Sequence, residues 1–186
     1  MASIRDGILA VLTQGAAYGL QLRNELDART RRAAPLNVGQ VYGTLDRLLA
    51  AGLISQEAHT EDGLPLYELT ETGHAAASAW LGTPDLDGAN PFESTVFQVL
   101  IARSLPGVSS AGLLEAQREA WRERHFAAQE AYRPEVAAEL RSSAEEALAR
   151  AVLGWLDEVE PTSDQGTPVS RVRPPRGRPA TEAKFR

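Results

Sequence analysis

Apolar residues recur at three- and four-residue steps between Asn37 and Gly52, as they do in a helix that is buried on one side. Asn37 is suited to the N-cap of this helix and Gly52 to its C-terminal cap. The arc that we predict to be buried consists of Val38, Val41, Tyr42, Leu45, Leu48 and Leu49. The opposite arc, which we predict to be exposed and polar, consists of Gln40, Gly43, Thr44 and Arg47.

A β-hairpin is predicted directly after this helix. The segments ISQEAH and LYELT are typical of short strands, and Asp62-Gly63 between them is a hairpin turn signal. Two more helices are predicted before Asn37, one after the potential cap Ser3 and one from Ala17 to Arg31. Three helices followed by a hairpin are typical of a winged helix-turn-helix.

The polar arc of the third helix has side chains that can recognise bases in a DNA major groove. Gln can pair with adenine and Arg with guanine, and the methyl group of Thr can contact thymine. An amphipathic helix followed by a hairpin is also common in small α+β domains, where the polar face is only solvated. The pattern alone leaves both interpretations open.

Three segments carry a resemblance to a known family: ILAVLTQGAAYGLQLRNEL, PLNVGQVYGTLDRLLAAGLI and EDGLPLYELTETGHAAASAWL. Together they resemble the PadR family of bacterial transcriptional regulators, over residues 4–81. The chain length and the helical remainder are similar to the longer PadR class, which has a C-terminal helical dimerisation region. The resemblance implies a dimeric repressor that binds an inverted-repeat operator in double-stranded DNA.

Within this resemblance, Gln40, Thr44 and Arg47 are the predicted base-reading residues, and Tyr42 and Arg23 are predicted to contact the DNA backbone. Gly43 stands where family members commonly have Pro. The wing has no basic residue before Tyr67, so a phosphate-gripping wing is not carried over to this chain.

The rest of the chain predicts a linker and a second, helical domain. The linker is GTPDLDGANP at 82–91, which separates the predicted winged domain, 1–81, from a domain at 92–160. In the last of its three predicted helices, an apolar stripe includes Leu140, Leu148, Val152 and Trp155. This stripe suits either a monomer's core or a homodimer seam, and we favour the seam. The predicted fold class is mainly α with a small β-hairpin.

Composition limits the chemistry of the chain. It has 186 residues and no cysteine, which excludes disulfides and Cys-ligated zinc. Its three histidines lack metal-ligand spacing, and neither a catalytic triad nor a glycine-rich phosphate loop is readable. We therefore expect no enzymatic activity, no metal and no cofactor. The chain has no apolar run long enough for a membrane span and no signal peptide, so we expect a cytoplasmic location.

Charge is distributed unevenly, at −3 for residues 1–81, −7 for 82–160 and +4 for 161–186. The last segment is rich in Pro and Arg, and we predict it to be disordered. Its sequence Pro175-Arg176-Gly177-Arg178-Pro179 resembles the core of an AT-hook. Arg176 and Arg178 could lie along the floor of a minor groove. The alternative is a solubilising end.

Two further hypotheses concern partners. Trp80, Trp121 and Trp155 suggest a pocket for a small aromatic effector, because related regulators bind flat aromatic compounds, although Trp at helical spacing usually belongs to a core. The alternative function is a helical protein-interaction adaptor that keeps the winged scaffold without operator binding. The acidic middle region and the uncharged wing favour this alternative.

Overall fold

The computed structural model describes residues 4–31, 34–130, 135–161 and 166–169. Helices dominate these residues, and a single two-stranded sheet accompanies them. The elements are α1 (Ile4–Leu12), α2 (Gly19–Thr30), α3 (Val38–Ala50), β1 (Ile54–Ser55), β2 (Glu68–Leu69), α4 (Glu71–Gly82), α5 (Pro91–Ser104), α6 (Ala111–Glu130) and α7 (Val136–Glu158). The predicted fold class, mainly α with a small β-hairpin, is confirmed.

The first three helices and the hairpin form the predicted winged helix-turn-helix. The Asn37 side chain caps α3 by accepting a hydrogen bond from the Gly39 amide at 2.8 Å, as predicted. The strands β1 and β2 pair antiparallel, with Ile54 opposite Leu69. Tyr67 joins this wing to the α1–α2 turn, because its backbone exchanges both hydrogen bonds with Ala17, at 2.9 and 3.0 Å.

Helix α5 is shared by two hydrophobic cores. Phe97 and Ile101 pack into the core of the winged domain with α1 and α2, whereas Val99 packs into a second core with Leu114 and Trp121. The contact with α1 is close, since a Cβ on Gly7 would lie 2.7 Å from the Phe97 ring. The predicted division into 1–81, 82–91 and 92–160 therefore stays a prediction, and α5 connects its two domains.

A chain of buried polar groups crosses α5. The Trp121 indole donates to the Thr95 hydroxyl at 2.9 Å, and this hydroxyl donates to Gln117 Oε1 at 3.2 Å. The Gln117 amide then donates to Gln98 Oε1 at 2.6 Å. The Gln98 amide in turn donates to the backbone oxygens of Trp80 and Thr83, at the C-terminal end of α4. The network thus connects α6 to the last turn of the winged domain.

Helices α6 and α7 pair in antiparallel fashion. Arg118 near the start of α6 bonds the Leu156 oxygen near the end of α7 at 2.7 Å, and Gln129 lies 3.4 Å from Glu146. Their shared core contains Trp121, Ala149, Val152 and Leu156. In the described part of the chain, no helix is both long and apolar enough to cross a membrane.

Candidate nucleic-acid interface

The exposed face of α3 differs from the one predicted. Its buried residues are Val41, Thr44, Leu45 and Leu48, so the buried arc is centred about 70° away from Val38. Val38 and Tyr42, predicted to be buried, are 47% and 39% exposed. Thr44, predicted to be exposed, is only 5% exposed. The predictions for these three side chains were wrong, whereas Gln40 and Arg47 are exposed as predicted.

Thr44 is buried because its hydroxyl is satisfied inside the helix. It donates to the Gln40 backbone oxygen at 2.8 Å and accepts from Arg47 Nη2 at 3.0 Å. Arg47 Nε also donates to the Gly43 oxygen at 2.9 Å. The two bonds that Arg47 donates, to Thr44 and to Gly43, hold Nη2 and Nε of its guanidinium against the helix. Nη1 has no partner among the described residues. Thr44 therefore positions Arg47 rather than presenting its own methyl group to solvent.

Tyr42 packs against the start of α2. A Cβ on Gly19 would lie 2.8 Å from two ring atoms of Tyr42, so only glycine leaves room for the ring there. The N-cap residue Tyr18 makes no side-chain hydrogen bond to the first turn of α2. The half-exposed Tyr42 side chain thus lies close to the N-terminus of α2, and Tyr hydroxyls and helix N-termini are both common phosphate contacts in DNA complexes.

Arg23 has partners within the helix-turn-helix. Its Nε donates to the Leu36 oxygen at 3.0 Å and lies 3.2 Å from an Asp27 carboxylate oxygen. The other Asp27 oxygen accepts from the Leu36 amide at 2.9 Å. Arg23 and Asp27 together hold the residue just before the N-cap of α3. These contacts favour a structural role for Arg23, and its predicted contact with the DNA backbone has no separate support here.

The wing is acidic and small. Gly63, with φ of 74°, allows the tight turn at its tip, and the Thr60 amide bonds the Leu64 oxygen at 2.8 Å across it. The chain has neither Lys nor Arg from residue 48 to 102. The exposed side chains of the wing include Glu57, Glu61, Asp62 and Glu68. The wing therefore presents acidic side chains, and neither Lys nor Arg, to its surroundings.

The predicted exposed arc of α3 left out one acidic side chain that the structure shows to be exposed. Asp46 lies on the exposed face of α3, beside Arg47. The pKa of Tyr67 is raised by burial of the hydroxyl, and then by the nearby Tyr42 and Asp46. The position of Asp46, 80° from Val38 on the wheel, would have placed it on this face if the buried arc had been centred correctly.

The remaining predicted residues are dispersed. Leu140 and Leu148 are exposed, 66% and 41%, Trp155 is half-buried, and Val152 is buried against the α6 side of its own subunit. Trp121 and Trp155 pack in the second core, whereas Trp80 packs edge-on against Phe97 of the first, so the three tryptophans are divided between two cores. An open cleft of about 430 Å³ beside Leu86 and Arg124 contains none of the three tryptophans. Arg176 and Arg178 lie outside the described residues.

Metal-binding side chains do not cluster in the described residues, where no three His, Cys, Asp or Glu groups are placed to share an ion. The chemistry of the surface around α3 is therefore that of hydrogen-bond donors, acceptors and one fixed guanidinium. Such groups recognise base edges and phosphates.

Comparison with known proteins identifies the N-terminal part of the chain. Residues 8–79 match the family model described as Transcriptional regulator PadR-like family. These residues form a PadR-like domain. The match lies within the residues 4–81 that carried the resemblance in the sequence, and the PadR-like prediction is confirmed. A comparison with curated protein sequences finds no significant match to the chain.

Among solved structures, the chain is similar to a transcriptional regulator from Clostridium thermocellum, with 21% identity, 40% of this chain and 73% of that chain covered, and a TM-score of 0.38. It is also similar to Bacillus subtilis PadR in complex with operator DNA, with 17% identity, coverage of 85% and 96%, and a TM-score of 0.41. A third similar structure is Bacillus subtilis PadR in complex with p-coumaric acid. Its identity is 16%, the match covers 83% of this chain and 95% of that chain, and the TM-score is 0.40.

Proposed function

We propose that this protein is a homodimeric transcriptional repressor that reads an inverted-repeat operator with α3 of its PadR-like domain. One observation carries the proposal. Gln40 and the anchored guanidinium of Arg47 are exposed on a capped helix, within a domain that matches a family of transcriptional regulators. In the major groove, Arg47 would pair with guanine and Gln40 with adenine.

Phosphate contacts come from Tyr42 and the first turn of α2 in this proposal. The Tyr42 ring lies against Gly19, so its hydroxyl lies near the N-terminus of α2, where the Tyr18 side chain makes no capping hydrogen bond. A phosphate bound there would set the register of α3 in the groove, because backbone contacts position a protein while base contacts specify the sequence. In this proposal Thr44 orients the guanidinium of Arg47, and Arg23 stabilises the connection between α2 and α3.

Dimerisation is proposed to use one face of α7. The exposed apolar side chains of α7 lie on a single stripe about 120° wide, which consists of Val136, Ala137, Leu140, Ala144, Ala147, Leu148 and Ala151, with the half-buried Trp155. The charged side chains Glu145, Glu146 and Arg150 lie off this stripe, and Arg141 borders it at about 20° from Leu148. Exposed Phe126 of α6 adds further apolar surface. We propose that a second copy of the chain covers this stripe, because an inverted repeat has two half-sites and requires two linked DNA-binding domains. Val152 is omitted from this surface because it is already buried within its own subunit.

An adaptor function without operator binding is the second candidate. The acidic wing and Asp46 favour it, because both would repel phosphate. A small aromatic effector also remains a prediction, without support from the positions of the three tryptophans.

Selection from fragmented genomic DNA tests the proposal. The purified full-length protein is mixed with the fragments, captured and washed, and the bound DNA is sequenced. We expect enrichment of fragments that share an inverted repeat, and reduced reporter expression when such a repeat is placed at a promoter. The matched control is Gln40→Ala/Arg47→Ala, which should lose the enrichment while remaining folded. Equal recovery of DNA by both proteins, with no shared repeat, would support the adaptor.

A further inference from the structure

A short segment near the C-terminus packs on the PadR-like domain, so the predicted disorder of residues 161–186 was wrong for residues 166–169. Residues 166–169 follow α7 in the chain, yet they lie against α2 and the end of α5. The Thr167 amide donates to the Ser104 oxygen at 3.0 Å, and Val169 packs against the core that contains Leu26 and Leu105. The chain thus returns from the helical layer to the domain that holds α3.

Arg29 of α2 connects the three parts of this contact. Its side chain is only 4% exposed and forms an ion pair with Glu25, at 2.9 Å. One terminal nitrogen donates to the Ser104 oxygen at 2.6 Å, and the other donates to the Thr167 oxygen at 2.8 Å. The guanidinium of Arg29 therefore bonds both the end of α5 and the returning segment. These bonds are charge-assisted and are donated by a largely buried side chain, which is typical of an internal interface rather than of a chance surface contact.

Gly166 allows the backbones to approach each other. A Cβ at this position would lie 2.2 Å from the Leu105 carbonyl carbon and from the Pro106 nitrogen. These neighbours are backbone atoms, which cannot rotate away as a side chain could. Any other residue at 166 would therefore push the segment off the α5–α6 turn.

We propose that residues 166–169 are an intramolecular latch, which tethers the basic segment that follows it to the PadR-like domain. After Val169 the chain has six Lys or Arg residues and one acid, Glu182. The latch supplies the attachment that brings these charges to DNA next to α3. The use of the latch in DNA binding rests on the proposed function, whereas its docking does not.

The lengths are sufficient for this role. Arg29 is two residues beyond Asp27 on α2, about 200° around the helix, so the latch and the start of α3 lie on opposite sides of α2. A helix with its side chains is about 10–12 Å across. The seven residues from Val169 to Arg176 can span up to about 23 Å when extended. Basic groups anchored at Val169 can thus pass around α2 and reach a phosphate near α3.

Docking is tested in the full-length protein without DNA. Because the chain has no cysteine, Ser170→Cys provides a single site for a nitroxide label. We expect the label to broaden the NMR signals of amides at the end of α2, including Thr30 and Arg31. Adding Gly166→Ala, or independently Thr167→Pro, which removes the amide bonded to Ser104, should abolish the broadening. Gly154→Ala is the matched control, because no atom lies within 4 Å of its Cβ.

The use of the latch is tested by affinity for an A·T-rich duplex of about 30 base pairs, or roughly three helical turns. Without the latch, the attachment point of Arg176 moves back towards Glu160, so the connecting chain lengthens from about 7 to about 16 residues. Effective concentration falls roughly as the −3/2 power of this length, which predicts about threefold weaker binding for Gly166→Ala. The control is a full-length protein in which Gln replaces Arg171, Arg173, Arg176 and Arg178. In this protein, Gly166→Ala should leave the affinity for the duplex unchanged.

The outcomes separate the latch from the proposed function. Equal broadening in the wild-type and Gly166→Ala proteins would overturn the docking. Equal weakening by Gly166→Ala in both charge backgrounds would overturn the delivery of the tail, because the latch would then act on the domain alone. If the wild-type protein bound neither this duplex nor any selected fragment, the proposed function would fail and delivery with it. The nitroxide result would still decide the docking.

Discussion

The aromatic ring of Tyr42 on α3 lies where a side chain on Gly19 of α2 would have to be, since a Cβ there would approach two ring atoms to 2.8 Å. This contact sets the distance between the second and third helices of the helix-turn-helix. It also carries the Tyr42 hydroxyl to the start of α2. The stability of the domain and the phosphate contact proposed for Tyr42 therefore depend on the same pair of residues.

Gly19→Ala should destabilise the protein by about 1–3 kcal/mol, the usual cost of overpacking a filled site. The measurement is the free energy of unfolding in denaturant. Gly154→Ala is the control, and there the loss of glycine flexibility in a helix should stabilise by about 0.5–1 kcal/mol. Adding Tyr42→Ala to Gly19→Ala should relieve most of the clash. A Gly19→Ala protein as stable as the wild type would show that the ring moves aside without cost.

Arg47→Ala should weaken operator binding by about 1–3 kcal/mol and relax specificity at one base pair, if the guanidinium reads a guanine. Thr44→Val should have a smaller effect in the same direction, because it removes one of the two bonds that orient Arg47. The measurement is binding to a set of duplexes, each with one base pair changed. Uniform weakening on all duplexes would instead assign Arg47 to phosphate.

The thymine hypothesis for Thr44 has its own test. Replacing operator thymines by uracil removes their methyl groups and leaves the hydrogen bonds in place. Because Thr44 is buried, we expect its substitution to leave the effect of uracil unchanged. A uracil effect that disappears in Thr44→Ser, which removes the threonine methyl group and keeps the hydroxyl, would restore a direct methyl contact.

Local signals in the sequence were sufficient for much of the fold. The Asn37 cap and the Asp62-Gly63 turn depend on neighbouring residues only, and both are present. The rotation of α3 was mispredicted because Val38 and Tyr42 are apolar yet exposed, while the Thr44 hydroxyl is satisfied by its own helix, which allows burial. The role of α5 in two cores and the return of residues 166–169 depend on long-range packing. Neither leaves a periodic signal in the sequence.

Leu148→Glu should convert the protein to a monomer, because it places a charge in the middle of the α7 stripe, where it would be buried without a partner. Light scattering or sedimentation measures the mass. Glu139→Lys, at an exposed position about 120° from the centre of the stripe, is the control and should leave the dimer intact. Val152→Ala should lower stability without changing the mass. A Leu148→Glu protein that remains dimeric would remove this stripe from the interface.

Gln117→Met should destabilise the protein by about 1–3 kcal/mol, because Gln98 and Thr95 would each lose a buried hydrogen-bond partner. Met has a similar volume, so lost packing contributes little. Denaturant unfolding gives the magnitude, and Trp121 fluorescence reports on the same site. If the network were unimportant, Gln117→Met would be as stable as the wild type.

The central claim, that α3 of this protein reads DNA sequence, is tested most directly by comparing two duplexes of the same composition. One contains the inverted repeat selected from genomic DNA, and the other has its bases scrambled. Titration of the full-length protein at several salt concentrations gives both affinities. We predict at least about 10³-fold tighter binding to the repeat at physiological salt, and loss of this preference in Gln40→Ala/Arg47→Ala. Equal affinities for the two duplexes, or no binding at low salt, would contradict the claim.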